Sequence, residues 1–116
     1  MKLKTLVLSL FLVFSGWTFG QITGDVIESG RKVEKEVDYQ VKKHYYAKIV
    51  IDIAVNTDGE VTSAKLNSKA STKNSTPLTI ECVNRAKKIK FEKGNMYPKF
   101  HNGKVIFSVS PQDESD

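Results

Sequence analysis

Between residues 47 and 55 the side chains alternate. Ala47, Ile49, Ile51, Ile53 and Val55 occupy one set of positions, and Lys48, Val50, Asp52 and Ala54 the other. A period of two with one apolar face predicts a strand lying on a core. Asn56-Thr57-Asp58-Gly59 follows it. Asp-Gly supplies the positive φ that tight hairpins need, so the chain is expected to double back here. Val61 to Leu66 is the returning strand. Its apolar set changes phase between Val61 and Ala64, which predicts a bulge or a short pairing.

Residues 67–76 are polar and turn-rich, as in a surface loop. Thr76-Pro77 then reads as a helix start, with Thr at the N-cap and Pro at the first helical position. Leu78, Cys82, Ala86 and Ile89 fall at spacings of four, four and three, and Val83 widens that stripe. The helix is expected to end near Lys90, with Phe91 plugging the core. Gly94-Asn95, Pro98 and Asn102-Gly103 mark loops and turns. From Lys104 to Ser110 the alternation resumes, with Val105, Phe107 and Val109 on one face, and Pro111 stops it. Residues 31–46 stay open. Val33, Val37 and Val41 recur every four residues, as in a helix, whereas β-branched valines and paired tyrosines favour extended chain. Residues 21–30 read as a flexible lead-in, and 111–116 as a frayed acidic tail. The expected fold is α+β with two layers. A small antiparallel sheet of about three strands, with a fourth N-terminal one if 31–46 is extended, carries one main helix on one face.

Residues 1–20 change the picture. Lys2 and Lys4 precede an apolar run from Thr5 to Phe14, broken only by Ser9, and Thr18-Phe19-Gly20 has small residues at its first and third positions. That order is a signal peptide's, so cleavage is expected after Gly20 and the product is expected in the periplasm or secreted. The run is shorter than the ~20 apolar residues a spanning helix needs, so no stable membrane insertion is expected after cleavage. Losing Lys2 and Lys4 lowers the formal charge from +5 to +3. The remaining lysines are interleaved with acids, so nucleic acid is not expected as a partner. Of 116 residues, 27% are charged and 40% hydrophobic, which excludes a disordered tail and a polytopic membrane protein. A single cysteine excludes an intramolecular disulfide. One domain, 31–110, accounts for the rest.

Catalytic constellations are weak. His44 and His101 show no metal-ligand spacing, so neither metal nor cofactor is expected. Cys82 lies in the apolar helix stripe, where a thiol is ordinarily a small buried hydrophobe rather than a nucleophile. Asp52 and Asp58 flank the hairpin, but Asp58 serves the turn and Asp52 is an outward strand residue. Lys87, Lys88 and Lys90 make a basic knot that reads as a solvated face. Tyr39, Tyr45, Tyr46 and Tyr97 read as core rim. Asn74-Ser75-Thr76 matches the short glycosylation pattern. An enzyme is not expected.

Three segments in order carry a resemblance. They are KIVIDIAVNTDGEVTSAKL (48–66), STKNSTPLTIECVNRAKKIKF (71–91) with its Ala-x-x-x-x-Phe helix exit, and the Gly-start strand Gly103 to Val109. Together they resemble the C-terminal domain of TonB, the bacterial energy transducer, and more closely small exported stand-alone relatives from Bacteroidetes-type bacteria. Gly30-Arg31 fits the opening of those relatives, which would make 31–37 extended. The resemblance implies a periplasmic protein-binding module, accessory to TonB-dependent outer-membrane transport. It implies that a partner peptide, such as an outer-membrane receptor segment, adds as a strand to a free edge formed by Lys104, Val105, Ile106, Phe107, Ser108 and Val109. A full transducer also has a membrane anchor and a long Pro-rich spacer, and a Tyr-Pro pair before its first helix. Here there are three prolines, and Tyr97-Pro98 lies elsewhere, so a complete energy transducer is not expected. The alternative is a self-associating exported domain, a homodimer formed by the same edge, with no role in transport.

Overall fold

The computed structural model describes residues 21–111; the signal peptide expected at 1–20 and the tail at 112–116 lie outside the described residues. Along the chain come β1 (Ile22–Thr23), α1 (Asp25–Glu28), β2 (Val33–Lys35), β3 (Gln40–Lys43), β4 (Ala47–Val55), β5 (Val61–Leu66), α2 (Thr76–Ala86), β6 (Lys90–Phe91) and β7 (His101–Pro111). The fold is α+β in two layers, as the hydrophobic pattern predicts. The main sheet runs β1-β7-β4-β5, with β3 also on β7. Its pairings are antiparallel except β3–β7, which is parallel. A short second ladder joins β2 to β6.

The β4–β5 hairpin has the expected bulge, a register shift at Ala54/Val55. Its turn is held by Asn56, whose Oδ1 accepts from the N–H groups of Asp58 and Glu60. Gly59 sits at φ +84°, and a Cβ there would collide with the Phe91 carbonyl oxygen. The Phe91 N–H donates to the Gly59 carbonyl at 2.8 Å. So Gly59 meets two demands, the left-handed backbone and the close passage of β6.

α2 lays its predicted stripe on the sheet: Leu78, Cys82, Ala86 and Ile89 are buried with Ile49, Ile51, Ile53, Val105 and Phe107. Its N-cap is Ser75, in extended conformation, and Thr76 and Pro77 open the first turn. The helix proper stops at Ala86, short of Lys90, because β6 must be extended to pair with β2.

Residues 31–46 resolve to extended chain. Val33 pairs opposite Phe91 and Val41 opposite Val109, so the four-residue valine spacing reflects two separate strands rather than a helix face. The lead-in is also packed, contrary to the expectation of a flexible 21–30. Ile22 and Val26 are core residues, and Gly24 at φ +100° turns the chain between β1 and α1. Gly103, on the core face of β7, makes room for this. A Cβ there would come within 2.7 Å of Val26 Cγ1. The missing side chain seats Val26, whose burial stabilises by about 1.5–3 kcal/mol.

Candidate interaction site

The residues Lys104 to Val109 lie at the centre of the sheet, and the expectation that they form its free edge is corrected. One side of β7 pairs with β4 over its whole length, Ala47↔Val109 through Val55↔His101. The other side is closed by the chain's own residues 21–43. β1 places Ile22 opposite Val105 and Thr23 opposite Lys104, and β3 places Gln40 to Lys43 opposite Ser108 to Pro111. Between them Ile106 N–H donates to the Gln21 carbonyl at 2.8 Å and Ser108 N–H to the Tyr39 carbonyl at 2.9 Å. Val105, Phe107 and Val109 are buried, Ile106 is half-buried, and Ser108 is exposed. Lys104 reaches Asp52 at 3.3 Å on the polar face. The segment from Gln21 to Lys43 supplies the complement that a peptide partner was expected to bring.

The margins of the sheet are treated differently. On β3, Arg85 Nη1 donates to the carbonyls of Asp38 (3.0 Å) and Gln40 (2.9 Å), while its Nη2 is held by Glu81 at 2.8 Å. The first half of β4 is covered by the loop after β5. Val50 N–H donates to Ser71 Oγ and Lys48 N–H to Thr72 Oγ1, both at 2.8 Å. The outer side of β5 pairs with no strand among the described residues. Asn67 N–H donates to the Val50 carbonyl, and antiparallel pairs alternate between bonded and non-bonded. Lys65 and Ser63 therefore turn their main-chain groups toward β4, and Ala64 and Leu66 turn theirs outward.

A buried polar cluster fastens the segment 21–43, and residue spacing alone had not revealed it. Arg31 is only 3% exposed. Its Nε donates to the Glu92 carbonyl (2.8 Å), Nη2 to the Asn56 carbonyl (2.7 Å), and Nη1 to His101 Nδ1 (3.1 Å). With Nδ1 accepting, this network assigns the proton to Nε2, which faces Ser29 Oγ at 3.4 Å. Ser29 Oγ in turn donates to the Val26 carbonyl. Tyr97 stacks on His101 and lies under the Arg31 guanidinium, 4.1 Å from its ring centre. Its hydroxyl donates to Glu92 at 3.0 Å. Burial, and then the charge of Arg31, hold the His101 ring below its ordinary pKa. The Lys32 N–H and the Tyr97 hydroxyl hold Glu92 below the usual carboxylate range. All three side-chain nitrogens of Arg31 tie residue 31 to β7, the hairpin turn and the loop after β6, so the cluster is a clasp.

The other candidate groups stay apart. Cys82 is buried in α2, and burial, with Glu81 beside it, pushes its thiol up to about 11. At neutral pH it is a protonated, sequestered thiol. Among the described residues no three His, Cys, Asp or Glu side chains converge to hold a metal ion, and no helix is long and apolar enough to cross a membrane. Protein-family models, curated proteins and solved structures were all compared with this chain, and none matches.

Proposed function

We propose that this chain is an exported, non-enzymatic protein-binding module of the TonB C-terminal kind, which takes partner peptides by strand addition at the outer side of β5. The observation that carries this is the contrast among margins. β7 is closed by the chain itself, β3 is capped by Arg85, and β5 presents the main-chain groups of Ala64 and Leu66 with no partner strand among the described residues. An extended peptide satisfies such groups and gains affinity through main-chain hydrogen bonds. The lysines and apolar run of residues 2–14 support export, and an outer-membrane receptor segment is then the partner the resemblance favours. Self-pairing of β5 between two copies is the competing use of the same edge.

Capture from the native outer-membrane fraction tests the reading. Ala64→Pro removes an outward N–H and leaves the β4 ladder its donors. The expected result is that the wild-type protein retains a receptor and the variant loses at least tenfold of it, with an unchanged circular dichroism spectrum. Equal recovery by both folded proteins would refute strand addition at β5. Sedimentation over a concentration range separates the competing use, since a wild-type dimer that Ala64→Pro turns into a monomer assigns the edge to self-association.

A further inference from the structure

The loop from Glu92 to Phe100, between β6 and β7, is braced on its inner side and apolar on its outer side. Tyr97 turns into the clasp, where its ring meets Arg31 and His101 and its hydroxyl reaches Glu92. Gly94 N–H donates to the Thr57 carbonyl at 3.0 Å, and Tyr97 N–H to the Gly94 carbonyl at 3.2 Å. On this fixed loop Met96 is 81% exposed and Phe100 72%, and neither packs against the core. Holding two large apolar side chains in water is unfavourable. The acids beside them are largely spent. Glu92 accepts from the Lys32 N–H and the Tyr97 hydroxyl, and Glu60 pairs with Lys90 at 3.7 Å. Asp58 remains, at the adjoining hairpin turn, against Lys32, Lys93 and Lys99. Those three lysines are exposed and make no ion pair among the described residues.

We propose that this loop docks the protein reversibly on an anionic bilayer surface, with Met96 and Phe100 entering the headgroup boundary and Lys32, Lys93 and Lys99 facing lipid phosphates. Two such side chains offer roughly 300 Å² between them, well short of the ~800 Å² that each partner in a stable protein complex buries. A bilayer has no fixed shape to match, so single apolar side chains find a place in it, and buried apolar area adds to the attraction of lysines for anionic headgroups. The brace through Tyr97 holds the loop in one arrangement before contact, which lowers the entropy lost on docking. The contact is peripheral and uses neither Ala64 nor Leu66, so it is independent of strand addition at β5.

The sole tryptophan is Trp17, so protein recovered from the periplasm without residues 1–20 carries none, and Phe100→Trp supplies a single fluorescent reporter. The protein is mixed with vesicles of phosphatidylethanolamine and phosphatidylglycerol, and separately with vesicles of phosphatidylcholine alone. The expected result is co-sedimentation with the anionic vesicles only, and a blue-shifted emission of Phe100→Trp on them. Tyr46→Trp, at the far end of the β4–β7 ladder, should show no shift. Met96→Ser combined with Phe100→Ser should weaken binding about tenfold, and Lys93→Glu combined with Lys99→Glu about as much, each with a native circular dichroism spectrum. Ala64→Pro should bind vesicles as the wild type does. Absence of binding to the anionic vesicles, a shift of Tyr46→Trp without one of Phe100→Trp, or full binding by the serine variant would overturn the proposal. If no vesicle is bound and the serine variant loses a protein that the wild type retains from the envelope fraction, the loop serves a protein partner and the lipid reading falls.

Discussion

His101 joins three parts of the chain through one ring. Nδ1 accepts from Arg31, Nε2 faces Ser29, and the ring face stacks on Tyr97. Protonating Nδ1 would point a second positive charge at a buried guanidinium. Desolvation therefore leads, and Arg31 follows, in holding the folded-state pKa below the ordinary 6.5, with Asp25 opposing. The unfolded chain takes up the proton first as the pH falls. Stability from this ring is thus fully present above about 6.5 and declines below it, until the folded ring itself protonates. The thermal midpoint is expected to drop between pH 7.5 and pH 5, and to drop less in His101→Gln. Identical slopes for the two proteins would show that the ring is not the titrating group. Gly59 marks the opposite kind of dependence, on the absence of a side chain, because β6 passes directly over its Cα.

At the level of elements, β3 forms a margin of the main sheet. It pairs on one side only, in the parallel sense, and its carbonyl margin is tied down by one side chain from α2. Arg85 is itself fixed by Glu81 one turn earlier, and Lys43 of β3 reaches the same carboxylate at 3.1 Å. Helix and strand are laced together by this network as well as by apolar contact. Arg85→Ala should cost about 1 kcal/mol, in line with exposed charge-assisted bonds. It should also speed amide exchange in residues 40–43 by about tenfold while exchange in β4 is unchanged. Uniform acceleration across the sheet would mean that β3 does not open on its own.

At the scale of the whole molecule, residues 21–43 work as a built-in partner for β7. β1 and β3 complete the ladder, Val26 of α1 fills the space above Gly103, and the Arg31 clasp secures the segment between them. A chain begun at Lys32 would expose the main-chain groups of Lys104 and Ile106 and lose that clasp. Such a protein is expected to associate with rising concentration in sedimentation velocity, as uncovered edges do, and to melt well below the wild type. A monomer with the wild-type midpoint would show that β7 does not need its cover.

The β4–β5 hairpin, its bulge and the stripe of α2 were legible because each is a local pattern. Alternation, an Asp-Gly turn and a 3.6-residue period are imposed by backbone geometry and need no knowledge of distant residues. Those rules also selected β7 correctly as a strand, and they could not say which strands flank it. An inward-facing alternation looks the same at an edge and at the centre of a sheet, because main-chain hydrogen bonds lie in the sheet plane and leave no mark on side-chain polarity. Hence the alternation could not check the resemblance, which implied an edge at Lys104–Val109, and the segment proved central. The valines at 33, 37 and 41 suited a helix as well as extended chain until Val33 lay opposite Phe91 and Val41 opposite Val109. The buried Arg31, the loop that Tyr97 braces against it and the bare side of β5 depend on contacts between residues far apart in the chain, and those contacts exist only once the fold has closed.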